Sequence, residues 1–294
     1  MSELPPGAGP IAAQALAFLF GANVGSFLNV VAHRVPLSLS IVRPPSRCPA
    51  CRTPVRAVDN IPILSWLALR GRCRGCKGPI SIRYPAVEAF VGLLAAYAVR
   101  VIVLGSALAP DDRTPWIHAA AVFTVTAAMV AAALIDIDHR ILPDSITIPG
   151  MWAAPLLALL VPELTLGAQR TVPSWMPAGS PMRLAAAIVS VAGIAAGAGV
   201  IWSLGAVGSK VFGKQAMGFG DVKYLGMIGG AVGPAGAVLT LVVAAFVGSV
   251  AGIVRVIATR DRYIPFGPFL AIGGYFALVH GHEFIAWYIA RFTM

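Results

Sequence analysis

Charged residues are scarce in this chain. Asp, Glu, Lys and Arg together make up 12% of its 294 residues, while 58% are hydrophobic. A soluble globular domain carries roughly 25% charged and about 45–50% apolar residues. So little charge cannot cover the surface of a water-soluble particle of this length. The composition therefore excludes a soluble globular protein and predicts an all-α polytopic membrane protein, with membrane lipid as its main surroundings.

Acidic residues are the scarcest charged group, with 12 Asp and Glu against 22 Lys and Arg, a formal net charge of +10. Clustered basic residues on a soluble domain would suggest a nucleic-acid partner. Here most basic residues lie between apolar runs, where the excess of Lys and Arg in cytoplasmic loops of membrane proteins explains them. We therefore expect no nucleic-acid partner.

The long apolar runs predict about eight transmembrane helices, with seven as the alternative count, because each needs about 20 apolar residues. The predicted spans are 11–31, 86–106, 116–136, 146–162, 184–205, 222–233, 235–256 and 266–289. The run 222–233 is short and ends at Gly233-Pro234, so a half-span or one arm of a helical hairpin is the alternative there. We assign 11–31 to a first transmembrane helix and 86–289 to a multi-helix membrane domain.

The polar insertion 34–84, between the first two spans, has a strong charge asymmetry. Its single acid is Asp59, and its basic residues are Arg34, Arg43, Arg47, Arg52, Arg56, Arg70, Arg72, Arg74, Lys77 and Arg83. The positive-inside rule places this insertion in the cytoplasm. Loops 137–145, 206–221 and 257–265 then also lie inside, and 107–115 and 163–183 outside. The predicted inside loops contain Arg140, Lys210, Lys214, Arg260 and Arg262.

All four cysteines of the chain lie in this insertion, as two C-x2-C pairs separated by 21 residues: Cys48, Cys51, Cys73 and Cys76. This spacing is typical of a four-cysteine zinc site, in which four thiolates supply a tetrahedral shell. Disulfides are disfavoured in the reducing cytoplasm. A closed shell leaves no open position for catalysis, so we predict a structural zinc. Four unpaired buried cysteines are the alternative interpretation.

Several of the few acids lie near the ends of predicted spans, where an ionisable residue is costly and suggests function. Asp136 and Asp138 close the third span, and Asp221 opens the sixth after Gly218 and Gly220. The topology places Asp136 and Asp221 at the same cytoplasmic level of the membrane. Two neighbouring carboxyl groups do not both ionise easily. One can then accept a proton from water while the other polarises a carbonyl, as in an aspartyl protease.

Each acid also has a structural interpretation. Asp144 precedes the fourth span and is predicted to be its N-cap. Asp221 could cap the sixth helix and favour its positive end, with Lys223 neutralising its charge. Asp138 could be a solvated loop charge, a salt-bridge partner or the catalytic residue itself. Spacing alone does not separate Asp136 from Asp138.

Six segments of the chain resemble the motifs of bacterial type IV prepilin peptidases. They are Gly25-Ser-Phe-Leu-Asn29 with Arg34-Val-Pro36, Asn60-Ile-Pro62 through Trp66, Ile82-Arg83-Tyr84-Pro85 through Glu88, the two aspartate segments, and Ile264-Pro265-Phe266-Gly267-Pro268. The resemblance covers about residues 20 to 285. It implies a GxGD-type membrane aspartyl protease with Asp136 and Asp221 as its catalytic pair, which resolves the choice that spacing left open.

The resemblance also implies a substrate and a second activity. Members of this family cut the leader from type IV pilin-like or pseudopilin precursors at the cytoplasmic face of the bacterial inner membrane. Many then methylate the new N-terminus with S-adenosylmethionine. The sequence lacks the Gly-rich fingerprint of a Rossmann domain, so the methyl-donor contacts are assigned to Glu88 and Arg83. An ion pair of Glu88 with Arg83 or Arg34 is the alternative.

Three other functions are alternatives to a bifunctional peptidase and methyltransferase. A transporter with an acidic proton relay would show inverted repeats and acids near the bilayer midplane, and the sequence shows neither. A non-catalytic scaffold for pilus or secretion assembly would not need both Asp136 and Asp221. A peptidase without methyltransferase activity is the alternative within the enzyme class.

Overall fold

The computed structural model describes residues 8–106, 112–167, 176–177, 179–213, 217–259 and 264–292. Lys214, Arg260, Arg262 and parts of the predicted external loops lie outside these ranges. The α-helices of the described residues are α1 (Ala8–Arg34), α2 (Leu64–Ala68), α3 (Arg83–Ala98), α4 (Thr114–His139), α5 (Asp144–Leu160), α6 (Glu163–Leu166), α7 (Met182–Phe212), α8 (Phe219–Thr259) and α9 (Gly267–Phe292). A 3-10 turn (Ala57–Asp59) precedes α2, and a π-helical turn (Val99–Val103) extends α3.

Six helices in the described part of the chain are long and apolar enough to cross a membrane: α1, α3 with its π turn, α4, α7, α8 and α9. The predicted polytopic all-α class is confirmed. The predicted number of spans was higher for two reasons. The helix at 146–162 is α5, which has 17 residues, at the lower limit of the roughly 17–25 that a span needs, and so it is not among these six. The two predicted spans 222–233 and 235–256 are both parts of α8.

Helix α8 is interrupted at Gly233, which has φ 73° and ψ 177° and is followed by Pro234. A Cβ added to Gly229 would lie 3.2 Å from the Cβ of Ala237. Residues eight apart in a straight helix are separated by about 12 Å along its axis. The chain therefore turns back sharply at Gly233, and the two arms of α8 form the helical hairpin that was the alternative prediction.

The chain divides into two compact units, Met1–Ala119 and Ala120–Met294. In the first unit, α1 packs closely on α3 through glycines. A Cβ on Gly21 would lie 2.8 Å from the carbonyl oxygen of Val91, and one on Gly25 would lie 2.9 Å from the Cα of Glu88. Small residues allow membrane helices to approach this closely. The packing fixes the start of α3 against α1.

The second unit is built around α8, which packs against α5, α7 and α9. Its first arm carries Gly226, Gly229 and Gly230, each in contact with a neighbouring helix. The largest fully buried side chains of this unit are Tyr224, Met129, Ile135, Ile201, Leu225, Ile228 and Leu270. Three of them lie on the first arm of α8, so the arm that carries Asp221 is held in the core of the unit.

Candidate active site and four-cysteine cluster

Asp136 lies in the last turn of α4 and is buried, with 6% of its surface exposed. Its Oδ2 accepts a hydrogen bond of 2.9 Å from the backbone N–H of Gly267, the first residue of α9. The N-terminus of a helix has free N–H groups and a partial positive charge, both of which favour a carboxylate. Asp138, two residues further on, is exposed. Of the two acids in this segment, Asp136 is the one that points into the protein.

Gly267 leaves no room for a side chain beside Asp136. A Cβ there would lie 2.6 Å from the Asp136 Oδ2 and 3.1 Å from Cδ2 of Leu142. The motif segment Ile264–Pro268 was matched in the sequence without a role for its glycine. The prolines on both sides of Phe266-Gly267 are typical of the start of a helix. Backbone N–H groups at a helix start have no partner within the helix, so this pattern is the sequence signal for a free N–H group at Gly267.

Asp221 is the third residue of α8 and is half-buried. Its Oδ2 accepts a hydrogen bond of 3.3 Å from the N–H of Gly218, and its own N–H donates to the carbonyl of Gly218 at 3.2 Å. This is half of a capping box, in which the third helical residue satisfies the N-cap N–H. The structural interpretation of Asp221 as a cap is therefore correct, and it leaves the remaining carboxylate oxygen for other contacts.

The structure brings Asp136 and Asp221 together. Leu142 lies beside both glycines next to the acids, 3.1 Å from a Cβ on Gly267 and 3.1 Å from one on Gly220. Asp136 and Asp221 therefore approach each other around Leu142 and lie within electrostatic range of one another. Two carboxyl groups from α4 and α8, with an N–H group from α9, thus meet at one place in the second unit.

Lys223 pairs with Asp144 rather than with Asp221. Its Nζ lies 2.6 Å from the Asp144 Oδ1 and 5.1 Å from the centre of the Phe219 ring. The predicted N-cap role of Asp144 is wrong, because Pro143 precedes α5 and no side chain caps that helix. Asp144 instead links the start of α5 to α8, and the predicted neutralisation of Asp221 by Lys223 is not seen.

The four cysteines of the insertion converge as predicted. All four Sγ atoms lie within 4.8 Å of one another, with Cys48 to Cys76 at 3.8 Å and Cys51 to Cys73 at 3.9 Å. A tetrahedral zinc with Zn–S distances of about 2.3 Å has sulfur–sulfur edges of about 3.8 Å, whereas a disulfide needs about 2.05 Å. The cluster could therefore hold a metal ion, and zinc fits its donor set.

Each cysteine pair forms the same backbone knuckle. In the first, the N–H of Arg52 donates to the carbonyl of Cys48, and in the second that of Lys77 donates to Cys73. Arg52 and Lys77 both have positive φ, 59° and 60°. The signal in the sequence is an internal repeat, Arg-Cys-x-x-Cys-Arg-Thr-Pro-Val and Arg-Cys-x-x-Cys-Lys-Gly-Pro-Ile. The repeat means that two equivalent knuckles face each other across the sulfur atoms.

Hydrogen bonds lower the pKa of two thiols in the cluster. The side chain and backbone of Thr53 lower the pKa of the Cys51 thiol to about 6. Backbone hydrogen bonds from Cys76 and Gly75 lower the pKa of Cys73. Asp59, the single acid of the insertion, receives three short hydrogen-bond contacts from Arg74, and these lower the pKa of its carboxyl group. Arg74 thereby ties the second knuckle to the 3-10 turn.

Glu88 is buried in α3, with 7% of its surface exposed. Its Oε2 accepts a hydrogen bond of 2.7 Å from the N–H of Ile63, which has a φ of 63° and precedes α2. Arg83 is half-buried at the first position of α3. The guanidinium of Arg34 donates to the carbonyls of Ser40 and Pro44. Glu88 thus has a structural contact with the insertion that neither sequence interpretation included.

Together the fold and the site define a polytopic membrane protein with paired carboxyl groups and a four-cysteine cluster. Residues 19–102 match the bacterial peptidase A24 N-terminal domain, and residues 123–253 match the type IV leader peptidase family. The chain belongs to the type IV prepilin leader peptidase/N-methyltransferase family, as the sequence motifs predicted.

Three relatives illustrate the similarity, each a prepilin leader peptidase/N-methyltransferase. The Aeromonas hydrophila protein is 35% identical over 94% of this chain and 94% of its own length. The Stutzerimonas stutzeri protein is 35% identical over 95% of both chains. The Myxococcus xanthus protein is 39% identical over 88% of this chain and 67% of its own length. No solved structure matches the chain significantly.

Proposed function

We propose that this chain removes the leader peptide of type IV prepilin-like or pseudopilin precursors and then methylates the new N-terminus with S-adenosylmethionine. The observation that carries the peptidase is the approach of Asp136 to Asp221, which are 85 residues apart in the sequence and lie on two different helices. Family membership supports the methyl transfer. The excess of Lys and Arg in 34–84 supports a location in the bacterial inner membrane with this insertion in the cytoplasm.

The peptidase mechanism follows from two carboxyl groups that do not ionise together. The carboxylate of the pair accepts a proton from the attacking water. The protonated partner donates to the oxygen of the scissile carbonyl, which gives a tetrahedral diol. The proton taken from water then passes to the leaving amine, and a diol hydroxyl returns its proton to the partner as the C–N bond breaks. The N–H groups of Gly267 and Gly218 hold one oxygen of each acid, which leaves the other two oxygens for proton transfer. Because water is the attacking group, the reaction forms no covalent intermediate.

Replacing Gly267 with alanine is expected to lower the cleavage rate about 100-fold. The added methyl group takes the place of the Asp136 Oδ2, and small displacements of catalytic groups are costly. Gly281→Ala in the same helix is the matched control, because a Cβ there meets its nearest atom at an ordinary 3.6 Å. The measurement is the initial rate of leader removal by both purified variants. A Gly267→Ala enzyme as fast as Gly281→Ala would contradict this role of the glycine.

The four cysteines are the proposed ligands of a structural zinc. Their sulfur atoms fill a tetrahedral shell, and so the ion would contribute the folding of the insertion rather than an open coordination position for catalysis. A loop of about 50 residues rich in proline has little core of its own, and a metal supplies the missing stability.

Glu88 and Arg83 are the proposed contacts of the methyl donor. S-adenosylmethionine has a sulfonium cation and an amino acid end, so a buried carboxylate and a nearby guanidinium are suitable partners. Both residues lie in the first two turns of α3, and Glu88 contacts the insertion through Ile63. The donor supplies the methyl group, and the protein orients it toward the new N-terminal amine.

Replacement of Glu88 by glutamine separates the two interpretations of this residue. The amide oxygen of Gln can still accept the Ile63 N–H, so the insertion keeps its attachment. Loss of the negative charge is expected to raise the KM for S-adenosylmethionine about tenfold or more, the usual effect of losing a charged hydrogen-bond partner. The measurement uses a precursor whose leader is already removed, with leader cleavage as the control for folding. An unchanged KM would assign Glu88 to the Ile63 contact alone.

The direct test of the whole proposal uses purified protein in detergent, a pilin-like precursor and methyl-labelled S-adenosylmethionine. Mass spectrometry follows the loss of the leader and the gain of one labelled methyl group. Cleavage without methyl gain would leave the peptidase and remove the second activity. Absence of cleavage by a folded, zinc-loaded protein would favour the scaffold function.

A further inference from the structure

We propose that Tyr224 is a positioning residue that sets the register of α4 against α8, and with it the spacing of the Asp136 and Asp221 carboxyl groups. This inference rests on the proposed peptidase function. The side chain of Tyr224 is fully buried. Its hydroxyl group donates a hydrogen bond of 2.7 Å to the backbone carbonyl oxygen of Met129. One hydrogen bond thus joins the two helices that carry the two acids.

The bond lies one to two helical turns from the paired acids on both helices. Tyr224 follows Asp221 by three residues, about one helical turn, and Met129 precedes Asp136 by seven residues, about two turns. Residues at these spacings share one face of a helix. The bond therefore connects the same two faces that present the carboxyl groups, about one to two turns deeper in the protein.

Helix α9 contacts α4 at the same two levels, beside Asp136 and beside Met129. Gly267 contacts Asp136, and Gly274, seven residues later, lies against the side chain of Met129, where an added Cβ would be 2.8 Å from the sulfur atom. Met129 is therefore contacted by α8 through its carbonyl and by α9 through its side chain. Together these contacts hold α4, α8 and α9 to one another about two turns of α4 away from Asp136.

A hydrogen bond is well suited to fix a register in this part of the fold. The first arm of α8 packs on α5 and α7 through Gly226 and Gly230. Such glycine contacts limit how close two helices come, but they do little to stop one helix from sliding along the other. An O–H···O bond has a narrow range of about 2.5–3.0 Å. A displacement that moved the carbonyl oxygen of Met129 1 Å away from the hydroxyl group would break it. The hydroxyl group of Tyr224 therefore fixes the position of α4 along its axis relative to α8, which glycine packing alone does not fix.

Tyr224→Phe tests the inference, because it keeps the ring and removes the bond. We expect kcat for leader cleavage to fall about 10- to 100-fold with KM unchanged, since the pair loses its spacing but the substrate still binds. The pH profile of kcat should also change its width, because the interaction of two carboxyl groups depends on their separation.

Ser190→Ala is the matched control. Its hydroxyl group is also fully buried and donates to a carbonyl of α8, that of Gly230, at 2.6 Å. This bond joins α7 to α8 and does not touch α4. The control should lose similar thermal stability in detergent while keeping kcat and the pH profile of the wild type.

Three outcomes overturn the inference or its basis. Wild-type kcat and pH profile in Tyr224→Phe would show that the bond does not position the pair. Equal losses of kcat in Tyr224→Phe and Ser190→Ala, with matching losses of stability, would show that both bonds act only on the fold. Failure of the proposed function itself is distinguishable, because the wild type would then not cleave or the Asp136→Asn variant would cleave normally.

Discussion

Asp136→Asn and Asp221→Asn are each expected to lower the rate of leader cleavage by about 10³-fold or more. Asparagine keeps the size and one oxygen of the carboxyl group, so the hydrogen bonds from Gly267 and Gly218 can remain. It cannot accept or deliver the proton that hydrolysis requires, and proton transfer by a positioned side chain contributes roughly 10²–10⁴-fold. The rate is measured by mass spectrometry of a pilin-like precursor in detergent.

Asp138→Asn is the control for this experiment. It makes the same chemical change two residues away, at an exposed position, and should leave cleavage close to the wild-type rate. An inactive Asp138→Asn enzyme beside an active Asp136→Asn enzyme would move the catalytic assignment to the second acid of the segment. Methyl transfer to a precursor without its leader should continue in both catalytic variants, because that reaction does not need the pair.

Removal of the metal is expected to unfold the 34–84 insertion. Structural zinc in small domains contributes about 10–16 kcal/mol of apparent binding free energy at pH 7, far more than a short loop can replace. We expect one zinc per chain by elemental analysis and its loss in Cys48→Ser or Cys76→Ser. These variants, and the wild type after chelation, should become sensitive to proteolysis between residues 34 and 84.

Ser46→Ala, close to the first knuckle but without a sulfur ligand, should keep both the zinc and the protease resistance. A stoichiometric zinc content in Cys76→Ser, or a metal-free wild type that resists proteolysis, would contradict the structural role. Two disulfides would appear instead as a mass four units lower without reductant, and the sulfur distances near 3.8 Å argue against them.

The features that the sequence predicted correctly depend on short stretches of chain. Membrane helices follow from local runs of apolar residues, since a span must satisfy its backbone internally. The cysteine cluster follows from two C-x2-C knuckles, each closed by hydrogen bonds within six residues of chain. The number of spans was less well predicted, because an apolar run does not show whether Gly233 and Pro234 separate two spans or turn one helix back on itself.

The pairings within the site were harder to predict because they join distant parts of the chain. Lys223 is two residues from Asp221, yet it pairs with Asp144, 79 residues away. Burial separates Asp136 from Asp138, and this depends on which side of α4 faces the core. Gly267 was recognised only as part of a motif, and the sequence contains no sign that its N–H group would reach an acid 131 residues earlier.

The amino-acid sequence by itself determined the membrane class, the four-cysteine cluster and the family, because each depends on composition or on residues at short, regular spacing. The resemblance to that family, and not spacing, selected the two acids proposed for catalysis. Only the tertiary structure decided that the start of α9 holds Asp136, that the two acids interact, and that Tyr224 bonds to Met129. The physical reason is that these contacts arise from the packing of whole helices. The depth and rotation of each helix are set by all its neighbours together, and so no local pattern encodes them.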